Sequence, residues 1–331
     1  MNTQLSTPRP IKSGAYKQNT TVFFEPSKLF LAQITELFDD VWPTVTAIQY
    51  FRDQVVDYCK THTVKDNQTL VKKYAKSKDK TNRPNLARFC IQDTMEEIKL
   101  GIAKNLLINL FAYYEAWVEE MLEIMNCNNR INRYEFQYPS GQQTNNYNVV
   151  LSNVRNNGCQ VLIDSYYNQY QNNKLYSLTS VDYWLHYYRY YKELRNSIAH
   201  GGGVVTQKLV DAYNDVINLN LSKNDLLVDE LPAIDVPVIN TAANYSLREI
   251  VWLSQILIRL VVTFDVEFIK SNQTEDYFCK EIKKVYQKKK KLPNDDTNRI
   301  KLVRSLSGKA IFKKPIDELK VYQLLIKNGV L

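Results

Sequence analysis

Cysteine is sparse in this chain and nowhere paired. Cys59, Cys90, Cys127, Cys159 and Cys279 are scattered, with no Cys-x-x-Cys among them. An odd, dispersed set argues against a disulfide framework and fits a reducing cytoplasm. Histidine is scarcer still, limited to His62, His186 and His200. Neither His-Glu-x-x-His nor Cys-pair spacing occurs, so no zinc site and no cofactor is expected. The Gly201-Gly202-Gly203 run is not followed by Gly-Lys-Ser/Thr, which excludes a phosphate loop, and no Gly-x-Ser-x-Gly elbow is present. Long apolar runs are missing too. The most apolar stretch, Val251 to Phe264, is interrupted by Gln255 and Arg259 and is too short for a membrane span. The first 25 residues lack the apolar core of a signal peptide. No membrane partner and a cytoplasmic location are therefore expected.

Helix breakers are few, with 9 Gly and 10 Pro in 331 residues, while Tyr reaches 23. Long side chains and few breakers favour an all-α chain. The net charge of +8 is unevenly placed. Residues 280 to 331 carry 15 Lys or Arg against 5 Asp or Glu, so the 279 residues before them sum to −2. The basic character belongs to the C-terminal stretch, where Lys288, Lys289, Lys290 and Lys291 form its densest run. Such a run suits an anion such as RNA, and it equally suits a solvated, soluble tail.

Periodicity divides the chain into three parts: residues 1–90 as an N-terminal helical extension, 91–275 as the main helical domain, and 276–331 as a basic C-terminal tail. Residues 1 to 20 read as a polar leader. Ser27 to Asp39 reads as one amphipathic helix, and Pro43 is placed to open a second, to about Lys60. Lys76 to Pro84 is charged and free of apolar side chains, an exposed loop at a domain boundary. From Ile98 to Met125 apolar residues keep three-and-four spacing over a long helix. Glu115 lies within it, beside Tyr113 and Tyr114, and a carboxylate partly buried there needs a partner, for which arginine is the usual choice. Residues 126 to 147 read as a loop, and Tyr147 to Tyr170 as a helix weakened at Gly158. Leu226 to Asn240 reads as extended. Ser246 with Glu249 forms a capping box that opens a helix to about Lys270. Pro315 to Lys327 reads as a last short helix.

The stretch Glu193 to His200, followed by three glycines, stands apart. Ser180 opens the helix that ends there. Trp184, Tyr187, Tyr191, Leu194 and Ile198 alternate in steps of three and four and form its buried seam. Asn196 and His200 are four apart and share a face, each about 200° round the helix from a seam position. They point away from the helix's own core, with Arg189 and Glu193 on the same side. Arg195 sits about 100° from Leu194 and can reach over. An imidazole at a helix C-terminus is suited to proton transfer in water. The bare Arg-x-x-x-x-His spacing is also that of an ordinary basic helix end. His62 and His186 read as surface or packing residues.

Arg195-Asn196-Ser197-Ile198-Ala199-His200-Gly201 resembles the Arg-x(4–6)-His motif of HEPN domains, in its Arg-Asn-x-x-x-His form. The helix holding Phe111-Ala112-Tyr113-Tyr114-Glu115-Ala116-Trp117 is similar to the first helix of many members, and the helix capped at Ser246 fits a later one. The resemblance covers about residues 95 to 272. It implies an all-α, HEPN-like helical bundle and a metal-independent endoribonuclease of a bacterial toxin or antiviral defence system. It further implies a homodimer in which Arg and His of two subunits meet in one cleft. His200 would then handle the proton, Arg195 would bind the scissile phosphate, and Asn196 would orient the phosphate or the imidazole. An inhibitor or antitoxin protein is a possible further partner. Two alternatives stay open: a non-catalytic HEPN module that binds RNA or a protein, and the controlled half of a two-gene system.

Overall fold

A computed structural model describes residues 22–64, 66–75, 84–142, 146–155, 157–286 and 292–331. The chain is all-α: among the described residues isolated β-bridges, but no strand, accompany the helices. Lys288, Lys289, Lys290 and Lys291 lie outside the described residues, as do the leader at 1–20 and most of the loop expected at Lys76 to Pro84.

Helix α1 (Glu25–His62) runs unbroken for 38 residues, about 57 Å at 1.5 Å per residue. Two helices divided at Pro43 were expected, yet Pro43 sits inside one. A proline interior to a helix removes a single amide donor and does not forbid continuation. The two halves of α1 are anchored separately. Phe30, Leu31, Ile34 and Val41 enter the main core, whereas Val55 joins Leu70, Leu86 and Cys90 in a small second cluster. Helix α2 (Asn67–Tyr74) contributes to that second cluster, and Arg88–Gln92 forms a π-helical turn beside it.

Helix α3 (Met95–Ile124) opens on a complete capping box between Thr94 and Glu97 and buries Leu106 to Leu122 at helical spacing. The polar stretch expected as a loop after it contains helix α4 (Arg130–Glu135), whose exit buries Phe136 completely. Phe136 packs on Phe264 and Phe268, and this contact holds an otherwise polar segment against the core.

The helix expected from Tyr147 to Tyr170 is broken. Helix α5 (Tyr147–Val154) stops, and helix α6 (Gln160–Leu162), the π-turn Ile163–Tyr167 and helix α7 (Asn168–Gln171) follow. Gly158 explains the break. A Cβ at that position would lie 2.3 Å from the Lys270 carbonyl oxygen, so only glycine permits the approach. Fully buried Glu267 reinforces the junction by accepting from Tyr167 Oη at 2.9 Å and pairing with Arg155 Nη2 at 2.7 Å.

Helix α8 (Val181–His200) carries the expected seam, and Trp184, Tyr187, Tyr191, Leu194 and Ile198 are all buried. Ser180 stands at its N-cap position without a side-chain cap and pairs instead with Ser177 at 2.9 Å. Helix α9 (Gln207–Asn218) turns back along α8, and helix α10 (Lys223–Leu226) supplies the carbonyl of Leu226 to Trp184 Nε1 at 3.0 Å. The stretch from 228 to 246 is irregular.

Helix α11 (Leu247–Phe268) is the centre of the bundle, packed by α1, α3 and α8. Its capping box is half formed. Ser246 Oγ accepts the Glu249 N–H at 3.2 Å, but the carboxylate receives the Ser246 hydroxyl and not its amide. Glu249 is buried, and burial pushes its carboxyl up to about 7 against a weaker opposing contribution from Ser246. The folded chain therefore holds a proton between about pH 4.5 and 7 that the unfolded chain has lost. Stability should fall over that window as pH rises, by up to about 3 kcal/mol from this residue. Glu249→Gln is expected to remove that part of the fall, read as the difference in urea midpoint between pH 5 and pH 8. Equal falls in wild type and variant would refute it.

Helices α12 (Gln273–Val285), α13 (Asp296–Lys309) and α14 (Glu318–Lys327) complete the chain. One buried cluster extends from Val22 to Val330 and includes Leu302, Val303, Phe312, Val321 and Leu325. Parts of the expected extension and of the expected tail thus share a core with residues 91–275. Polarity and charge change near residues 90 and 275, but the packed core continues across both positions.

Candidate functional site

The end of α8 is fixed by its glycines. The amides of Gly201 and Gly203 both donate to the Ser197 carbonyl at 2.9 Å. Gly202 and Gly203 have φ of +64° and +84°, where a side chain would be strained. The turn is then tied to the irregular segment: Ala243 N–H donates to Gly203 O at 2.8 Å and Val205 N–H to Thr241 O at 2.9 Å. His200, one residue before this turn, is exposed on the last turn of α8.

Arg195 leans the other way, back across the bundle to α3. Its Nη2 donates to Glu115 Oε1 at 2.7 Å, and its guanidinium lies 5.4 Å from the Phe111 ring centroid. Glu115 thus has the arginine partner its position called for. Lys192 reaches the same carboxylate oxygen at 3.2 Å and also donates to Gln137. Burial lowers the Lys192 ammonium, and Glu115 opposes that shift.

Asn196 belongs to a different set. Its Nδ2 donates to Glu193 Oε2 at 3.4 Å, and Glu193 accepts from Arg189 Nη2 at 2.7 Å. Arg189 in turn stacks on Tyr138, with its guanidinium carbon 4.2 Å from the ring centroid. No hydrogen bond joins Arg195, Asn196 and His200 to one another among the described residues. The three share the last two turns of α8, but Arg195 is tied to α3, Asn196 faces a cavity, and His200 stands at the exposed end.

That cavity, of about 490 Å³, opens between α8, α9 and the segment around Tyr138, and Asn196 lines it. No protein-family model, curated protein or solved structure matches this chain. The site is therefore read from its own geometry. Among the described residues no three His, Cys, Asp or Glu side chains gather as a metal-binding group. Among the same residues no helix is long and apolar enough to cross a membrane.

Sequence reasoning singled out the stripe of Arg189, Glu193, Asn196 and His200. It missed Lys192 as a second partner of Glu115, and it missed the α9 wall of the cavity. Lys192 carries a readable signal, because it lies three residues from Arg195 and so faces the same neighbour. The α9 wall carried none, since its approach to α8 depends on the glycine turn.

Chemically, the end of α8 offers an imidazole in water, a guanidinium held by a carboxylate, and an amide between them in sequence. A guanidinium so held is preorganised to meet a phosphate.

Proposed function

We propose that this protein is a metal-independent endoribonuclease of HEPN type, belonging to a bacterial toxin or antiviral defence system and working in the cytoplasm as a homodimer. The observation that carries the reading is that the last two turns of α8 hold their apolar seam buried while His200 stays exposed beyond it. That outward face is available to a second copy and to RNA.

The reaction needs little beyond these groups. The ribose 2′-oxygen attacks the adjacent phosphorus and the phosphorus–5′-oxygen bond breaks, leaving a 2′,3′-cyclic phosphate and a 5′-hydroxyl. One His200 takes the proton from the 2′-hydroxyl, and the partner subunit's His200 gives one to the departing 5′-oxygen. Arg195 binds the phosphate and stabilises its developing charge, Asn196 orients the phosphate or the imidazole, and Glu115 positions Arg195. One imidazole per chain makes the two-fold dimer part of the mechanism.

The test is incubation of purified wild type and His200→Ala with total RNA in the presence of a chelator. Cleavage by wild type and none by the variant is expected. Equal cleavage by both would sink the reading.

One observation favours the alternative of a non-catalytic HEPN module for RNA or protein binding: the Arg195–Glu115 pair already gives Arg195 a structural partner. Under that alternative His200→Ala leaves RNA binding and cellular phenotype intact.

The Lys288–Lys291 run is proposed to lie on the RNA backbone. Changing all four to alanine should flatten the dependence of log K on log[salt] by about 3, at roughly 0.7 per phosphate on a single strand. An unchanged slope in a filter-binding titration would remove the run from the interface.

A further inference from the structure

The cavity beside Asn196 is not used by the proton and phosphate chemistry above, and its walls are specific. One wall is the α8 stripe of Arg189, Glu193 and Asn196. The opposite wall is a second stripe on α9, where Lys208, Asp211 and Asp215 follow at steps of three and four and so share one face. The third side is aromatic, made by Tyr134 and Tyr138, whose ring centroids are 4.7 Å apart. Tyr134 is 50% exposed.

Each wall has a chemical meaning. Tyrosine faces accept a planar ring, and Tyr138 already carries the Arg189 guanidinium on one face. The carboxylates of Asp211 and Asp215 are acceptors only, so a ligand edge that meets them must present N–H donors, while Glu193 is already engaged by Arg189 and Asn196. Lys208, at the N-terminal end of the same stripe, calls for an acceptor on the ligand. Asp211 and Asp215 are oriented by Gln207 and Gln142, each donating at 2.7 Å. Their remaining lone pairs stay available.

A planar ring with two adjacent N–H donors on one edge and acceptor atoms next to them is guanine. Its N1–H and N2–H₂ suit a carboxylate, and its O6 and N7 suit a lysine. Adenine, cytosine and uracil each offer a single donor position on that edge. We propose that this cavity is a guanine-binding subsite that selects the nucleotide next to the scissile phosphate. Tyr134 provides the stacking surface, Asp211 and Asp215 read the donor edge, and Lys208 reads the acceptors. Asn196 joins the subsite to the reaction centre, because it lines the cavity and lies one turn, about 6 Å of rise, before His200. This deepens the ribonuclease reading and rests on it for the identity of the polymer.

The test does not depend on cleavage. The full-length chain is titrated calorimetrically with GMP, AMP, CMP and UMP. GMP is expected to bind at least tenfold more tightly than the other three. The double change Asp211→Asn with Asp215→Asn should remove that preference, and Tyr134→Ala should weaken GMP about tenfold or more. All three substituted residues are solvent-accessible, and a thermal melt checks that the variants remain folded. Equal binding of the four nucleotides by wild type, or no binding at millimolar concentration, overturns the subsite. The two readings fail separately. Base-blind cleavage that is lost in His200→Ala would leave the nuclease and remove the subsite. Guanine-selective binding without any cleavage would leave the subsite and remove the nuclease.

Discussion

Replacing His200 with alanine is expected to slow RNA cleavage by about 10²- to 10⁴-fold, the usual contribution of a positioned proton-transfer group. That is the loss of a single group, and it is a lower bound here, because each reaction uses an imidazole from both subunits and one substitution removes acid and base together. Stability should not change measurably. The side chain is exposed, stands beyond the buried seam and makes no hydrogen bond among the described residues. That separation gives the experiment its force, because a folded and dimeric variant with lost cleavage points to chemistry. The readout is the initial rate on a labelled RNA under single-turnover conditions, with a urea melt as control. A folded variant that cuts within threefold of wild type would remove His200 from the proton-transfer role.

Replacing Asp265 with alanine is expected to cost about 3–5 kcal/mol of stability. Asp265 is fully buried on α11, and its carboxylate accepts from Phe23 N–H at 2.6 Å and Phe24 N–H at 3.0 Å. These two amides lie just before and at the N-cap of α1, where a helix leaves donors without internal partners. Burial pushes the Asp265 carboxyl up to about 6, against the pull of the two amides and of Lys28. Near pH 7 it is therefore ionised inside the protein. Truncation leaves the two buried amide donors without their acceptor and removes one of the negative charges near the 6%-exposed Lys28, which keeps Glu25 at 3.8 Å. The damage should reach the Phe23 ring, which packs among Tyr166, Tyr170 and Phe312. Asp265→Asn keeps the shape and one acceptor and should cost roughly half as much. Chemical denaturation measures both. A cost below about 1 kcal/mol for alanine would mean that the start of α1 is not held by this carboxylate.

The α8 seam was legible because its period is long and regular, and each of its five residues is buried. That Glu115 would pair with an arginine was legible for a different reason. A carboxylate beside aromatic residues needs a cation, but only the packing of α8 on α3 says that Arg195 supplies it. Other features were hidden. Helix α13 presents as a charged segment, yet it buries Leu302, Val303 and Leu306. Charge on the outer face masked the narrow apolar one. Phe136 was hidden by Asn and Gln on either side, although it packs in the centre of the bundle. The continuity of α1 was hidden by Pro43, because a local rule competes there with packing at both ends. The cavity was least visible. Its walls come from segments centred near residues 138, 193 and 211, and only the turn at Gly201–Gly203 brings the last two together.

Glu115 has a consequence beyond holding Arg195. One carboxylate oxygen serves two cations, Arg195 at 2.7 Å and Lys192 at 3.2 Å. One unit of positive charge is therefore left over. A phosphate that draws Arg195 away does not strand the carboxylate, since Lys192 keeps it neutralised. The arriving anion relieves a surplus and breaks no balanced pair, so the guanidinium can change partners at little electrostatic cost.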